Sequence, residues 1–95
     1  MTGHADTRRV RVQGRVQGVW FRGWTQQTAR ALGVRGWVRN DPDGAVTALL
    51  HGPPEAVAKM IVAMRNGPPG AAVRDLHATA VPPPDPPPGA FRILR

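Results

Sequence analysis

The chain has no cysteine and no tyrosine, a single lysine among its thirteen basic residues, and only six acidic ones. Without cysteine there is no disulfide framework, no cysteine-ligated zinc and no thiol nucleophile, which fits a reducing compartment. No apolar run approaches the roughly 18 residues of a membrane span, and residues 1–7 (MTGHADT) lack the apolar core of a secretory signal. The expected location is cytoplasmic. At 95 residues there is room for one core, so a single domain is expected over residues 8–95 behind a flexible N-terminal tail at 1–7. The shortage of acid leaves a net charge of +7. Such a surface attracts anions, but an arginine-biased composition would raise the charge without any purpose, so charge alone assigns nothing.

Residues 8–13 (RRVRVQ) alternate arginine and valine, the period of a strand with one wet face, and place Val10 and Val12 inward. Phe21, Trp24, Thr28 and Leu32 recur at three- and four-residue intervals, predicting a helix that stops at Gly33. Residues 34–40 (VRGWVRN) read as a strand, NDPDG at 40–44 as a tight turn, and 45–51 (AVTALLH) as the second arm of a hairpin. GPP at 52–54 opens a second helix with Glu55 at its positive end and Val57, Met60, Ile61 and Met64 as its buried stripe. Residues 72–81 predict another strand, prolines interrupt at 82–88, and FRIL at 91–94 supplies a short last strand. The order β-α-β-β-α-β, with an added C-terminal strand, is that of an α+β ferredoxin-like sandwich: two helices on one face of an antiparallel sheet. Trp24 and Trp37 read as core, and the proline run reads as a stiff spacer in preference to a ligand for an aromatic groove.

GRVQGVWFRGW, at 14–24, lies between the first strand and the first helix. Its glycines let the backbone bend, successive N–H groups in such a bend make a concave nest for an anion, and the following helix adds its positive end. Arg22 in the first helical turn can grip two oxygens of a bound anion in parallel. Spacing alone leans toward ordinary turn glycines and a solvated arginine, because the G-x-x-x-x-G-K-[ST] pattern is missing.

The second segment changes that balance. GRVQGVWFR at 14–22 followed by GWVRNDPDG at 36–44 closely resembles the two signature segments of the acylphosphatase family in order and spacing. The likeness continues through GPPEAV, NGPPGAAV and the closing FRILR, covering roughly residues 8–95. The resemblance implies hydrolysis of acyl phosphates to a carboxylate and inorganic phosphate, without metal or cofactor. It places the essential arginine at Arg22, the essential asparagine at Asn40, and the phosphate-binding loop on Gly14, Arg15, Val16, Gln17, Gly18, Val19 and Trp20. The implied partners are a small-molecule acyl phosphate and its phosphate product; no membrane, no specific nucleic acid and no second subunit are expected.

That chemistry suits so few reactive side chains. An acyl phosphate already carries a good leaving group, so positioning and charge stabilisation suffice. Asn40 has both an acceptor and a donor with which to align one water. Competing residues are poorly placed. His4, His51 and His77 are too far apart in sequence for a local metal motif, and Asp41 and Asp43 beside Pro42 and Gly44 read as turn formers. A nucleic-acid-binding module shares the element order, but the aromatic strand motif of such domains is missing. A catalytically silent domain of the same family is opposed by the intact Arg22 and Asn40.

Overall fold

The computed structural model describes residues 5–94. Strands β1 (Asp6–Arg15), β2 (Arg35–Asn40), β3 (Val46–Gly52), β4 (Ala72–Ala80) and β5 (Arg92–Ile93) form one sheet in the order β4-β1-β3-β2-β5. Helices α1 (Phe21–Leu32) and α2 (Pro54–Asn66) pack side by side on one face. The α+β ferredoxin-like class is therefore as expected, with one correction. The sheet is mixed, because β5 pairs parallel to β2 through Trp37 and Val38 while every other pair is antiparallel. Parallel pairing follows from the route of the chain: residues 81–91 cross beneath the whole sheet, four strand spacings or about 19 Å, and so enter β5 from the same end as β2. Prolines 82–84 and 86–88 stiffen that crossing.

Strand alternation sorts the residues between the two faces. Val10 and Val12 of β1, Val38 of β2, and Val46, Ala48 and Leu50 of β3 turn toward the helices, where they meet Phe21, Ala29, Val57, Met60 and Met64 in a core almost free of exposed surface. Apolar burial of this kind is the main favourable term for so small a domain. Phe91, equally buried, anchors the segment that leads into β5. In α2, Pro53 and Pro54 supply the entry, and Gly67 closes the last turn by donating its N–H to the Ala63 carbonyl at 2.9 Å.

Three local expectations shift. β1 starts at Asp6, paired with Gly52, so Asp6 and Thr7 belong to the sheet, while residues 1–4 of the expected tail lie outside the described residues. The buried stripe of α1 is Phe21, Thr25 and Ala29, with Trp24 and Leu32 at its edge, since small side chains let the helix approach closely. Trp37 is not core. With Val38 committed to the helices, its neighbour faces the open side of the sheet, where the Arg39 guanidinium sits 5.0 Å from its ring centroid.

Gly36 is the most constrained position in the sheet. Its φ is +137°, and a Cβ there would lie 1.8 Å from the Leu49 carbonyl oxygen, on the neighbouring strand's backbone. Gly36→Ala therefore forces β2 and β3 apart and is expected to destabilise the fold by about 2 kcal/mol or more. For a chain of this size that corresponds to a Tm lower by roughly 8 °C or more. A thermal scan showing an unchanged Tm would contradict this account of the β2–β3 contact.

Candidate functional site

The loop between β1 and α1 bends twice into the left-handed region, at Gly18 (φ +76°) and at Trp20 (φ +63°, ψ +24°). Glycine takes that conformation freely, but an L-residue such as tryptophan pays about 1–2 kcal/mol for it. Left-handed residues in such a bend favour a concave nest of successive peptide N–H groups. Among the described residues, none of the backbone N–H groups from Val16 to Gly23 donates to a protein acceptor; the first such donor in the helix is Trp24, bonded to the Trp20 carbonyl at 3.0 Å. The helix has no side-chain cap and no acidic residue in its first turn. Unpaired donors and the positive end of the helix dipole together favour an anion in front of them.

Beside this loop is a cavity of about 270 Å³ lined by Val16, Gly18, Trp20, Phe21, Arg22, Gly23, Asn40 and Ile93. Arg22, in the first turn of α1, makes no ion pair and no side-chain hydrogen bond among the described residues. Asn40 reaches the same space as the last residue of β2, on the helix-facing side of the sheet opposite Val46. Its Oδ1 is buried with no hydrogen-bond partner. A buried acceptor left empty costs about 1–3 kcal/mol, so an occupant such as water would relieve it.

Two sets of contacts hold these parts together. The Gln17 side chain leaves the loop and donates from Nε2 to the carbonyls of Asp41 (2.9 Å) and Ala45 (2.8 Å), tying the cradle to the turn that follows Asn40. Asp41 is pinned as well. Its carboxylate, 11% exposed, accepts from Arg11 Nη1 at 2.8 Å, Thr47 Oγ1 at 2.5 Å and Arg39 Nε at 3.2 Å, and its own N–H donates to the Ala45 carbonyl. Asp43 completes the turn: the Ala45 N–H, and after it the Arg11 guanidinium, hold its carboxyl below the ordinary carboxylate value. Asp41 and Asp43 are thus turn formers, as their neighbours suggested, and Asp41 also fixes the end of β2.

Of the residues expected in the site, Val16, Gly18, Trp20, Arg22 and Asn40 line one cavity. The others do not. Gly14 sits at a bulge where β1 meets β4; at φ +125°, a Cβ would stand 2.2 Å from the Ala72 carbonyl oxygen, so this glycine serves strand approach. Arg15 pairs with Ala72 as the last residue of β1, Gln17 is the clamp just described, and Val19 packs against the core. Ile93 was not anticipated; β5 brings it in from the far end of the chain. His51 bonds to Thr7 at 2.8 Å, and His77 pairs opposite Arg11, four residues further along β1 or about 13 Å away.

The acylphosphatase family model matches residues 8–93. The chain belongs to the acylphosphatase family. An acylphosphatase from Rhodospirillum rubrum is 59% identical over 78 residues, 82% of this chain and 86% of that one. Among solved structures, acylphosphatase from Bacillus subtilis superposes with a TM-score of 0.90 at 35% identity, covering 97% of this chain and all of the other. An acylphosphatase from Coxiella burnetii gives 0.91 at 30% identity, covering 99% and 100%. Membership in the acylphosphatase family thus extends over both strand-helix units and the crossover, not merely over the two motifs.

Proposed function

We propose that the chain hydrolyses acyl phosphates by in-line attack of a single water on a phosphoryl group held in the cavity, releasing a carboxylate and inorganic phosphate. The observation that carries this reading is a loop whose N–H groups from Val16 to Gly23 have no protein acceptor among the described residues, and whose Val16, Gly18, Trp20 and Gly23 line the same cavity as the Arg22 side chain. The N–H groups and Arg22 bind the phosphoryl oxygens and tighten on them as charge redistributes toward the transition state. The guanidinium fork takes two oxygens at once. On the other side, Asn40 Oδ1 accepts a hydrogen bond from the attacking water and its amide group is free to donate, which aligns the water opposite the departing carboxylate oxygen. Water oxygen bonds to phosphorus, the P–O bond to the acyl carboxylate breaks with its electron pair leaving on the carboxylate, and the water's proton passes to phosphate oxygen or solvent. No general base is required when the leaving group is this good.

The reading also takes the protein as a cytoplasmic monomer, with the chain from Asp6 onward acting as one domain and no nucleic acid among its specific partners. It is tested by phosphate release from benzoyl phosphate with and without a metal chelator, and by NMR. Inorganic phosphate is expected to inhibit competitively and to shift the backbone amides of residues 15–20, since product and transferred group share oxygen geometry. Unmoved amides at saturating phosphate would overturn the cradle.

A further inference from the structure

Beside the catalytic cavity runs a second, shallower groove of about 400 Å³, lined by Trp20, Gly23, Gln26, Gln27, Arg30 and Ile93. Trp20, Gly23 and Ile93 border both spaces, so the groove opens directly from the cradle. We propose that this groove receives the acyl group, and that Arg30 at its far end recognises a second anionic group carried on that acyl group. The inference rests on the acyl phosphate reading above and names the substrate class it implies.

The walls argue for an acyl chain. Trp20 is 64% exposed and Ile93 36% exposed, both high for large apolar side chains in so small a domain. Between them Gly23 has no side chain. A Cβ there would lie 2.1 Å from Trp20 Nε1, so the missing group is what lets the indole lie against the helix. The result is a flat apolar entrance that borders the phosphate cavity.

The far end argues for charge. Gly23, Gln26, Gln27 and Arg30 follow at three- and four-residue intervals, one stripe of α1. Arg30 lies seven residues beyond Gly23, about 10 Å along the axis. Side chains on a helix lean toward its N-terminus, which here points the Arg30 stem back at the cradle. Arg30 Nη2 donates to the Phe91 carbonyl at 3.2 Å, with Gln26 Nε2 on the same oxygen at 3.1 Å. The remaining N–H groups of the guanidinium have no partner among the described residues. The bond to the Phe91 carbonyl holds one corner of the guanidinium, and its other N–H groups are left for a carboxylate or phosphate.

The test compares 4-carboxybenzoyl phosphate with 4-methylbenzoyl phosphate, two rigid substrates of similar shape that differ in distal charge. In the unmodified protein kcat/KM is expected to favour the carboxylate by about tenfold, the scale of one charge-assisted contact. Arg30→Met should bring the two within about twofold while leaving turnover of benzoyl phosphate, which has no distal group, within about twofold of the parent. Arg65→Met removes the same charge at the end of α2 and should leave the preference intact. Equal rates in the parent, or a preference that survives Arg30→Met, would sink the proposal. A second measurement works without turnover: Kd by calorimetry for 2-aryl-2-oxoethylphosphonates with and without the para-carboxylate, in parent and Arg30→Met. If no acyl phosphate is hydrolysed, the hydrolase reading falls; whether Arg30 distinguishes the phosphonates then still decides this one.

Discussion

Replacing Arg22 by lysine is expected to lower turnover nearly as far as replacing it by alanine. A lysine keeps the positive charge but presents a compact ammonium, whereas the site opposite the loop offers room for a planar fork that takes two phosphoryl oxygens together. Losing one preorganised donor lowers rate by roughly 100- to 1,000-fold, and Arg22 supplies two. Because Arg22 has no ion pair among the described residues, neither substitution strands a buried partner, so the loss belongs to the reaction and not to the fold. Steady-state kinetics on both variants, with Tm alongside, provide the check. A lysine variant that retained more than about a tenth of the parent turnover would remove the fork from the mechanism, since a point charge would then suffice.

Asn40→Ala is expected to fall as far in turnover while phosphate affinity stays within about threefold of the parent. Arg22→Ala, by contrast, should weaken both, because the arginine holds the phosphoryl group in the ground state and in the transition state alike. The separation follows from what each side chain offers: five donors from the guanidinium, against one buried, unpartnered acceptor from Asn40. That acceptor has no protein partner among the described residues, so its removal strands no donor and stability should change by only about 0.5 kcal/mol. Asn40 adjoins a turn held by Gln17 and Asp41, and a disturbed hairpin would imitate a catalytic loss. Unfolding must therefore be followed with the kinetics. A folded Asn40→Ala protein that kept its turnover, or whose inhibition constant for phosphate rose as much as that of Arg22→Ala, would end the water-positioning role.

Much of this was readable before any coordinates, for local reasons. Val10 and Val12 face the core because a strand alternates, and α1 stops at Gly33 because the chain turns left-handed there; that Arg22 and Asn40 share a site came from the family resemblance alone, since β3 lies between β1 and β2 in the sheet. What was not readable is settled by partners distant in sequence. Trp37 and Val38 are both apolar, and only the pairing of Val38 with Ala48 decides which one faces the helices. Nothing in the spacing of Gly14 indicates that its neighbour is the Ala72 carbonyl rather than a ligand. Ile93 enters the site through a two-residue strand whose parallel register is set by where the crossover ends. The clamp made by Gln17 and the carboxylate node at Asp41 similarly depend on bringing residues 17, 41 and 45 together across two turns.

The crossover has a consequence for how the site comes into being. Two ladder residues, with one further bond from the Leu94 N–H to the Val38 carbonyl, are too few to keep a free peptide on a sheet edge. β5 stays because it is tethered: its effective concentration at the β2 edge is set by the length and stiffness of residues 81–91, with the buried Phe91 as anchor. Six prolines restrict the tether to extended shapes and narrow the volume it explores, which raises that local concentration as long as the reach matches the width of the sheet. Ile93 borders both the phosphate cavity and the groove beside it, so the composition of a surface connection on the opposite end of the molecule governs how often the wall of the site is in place.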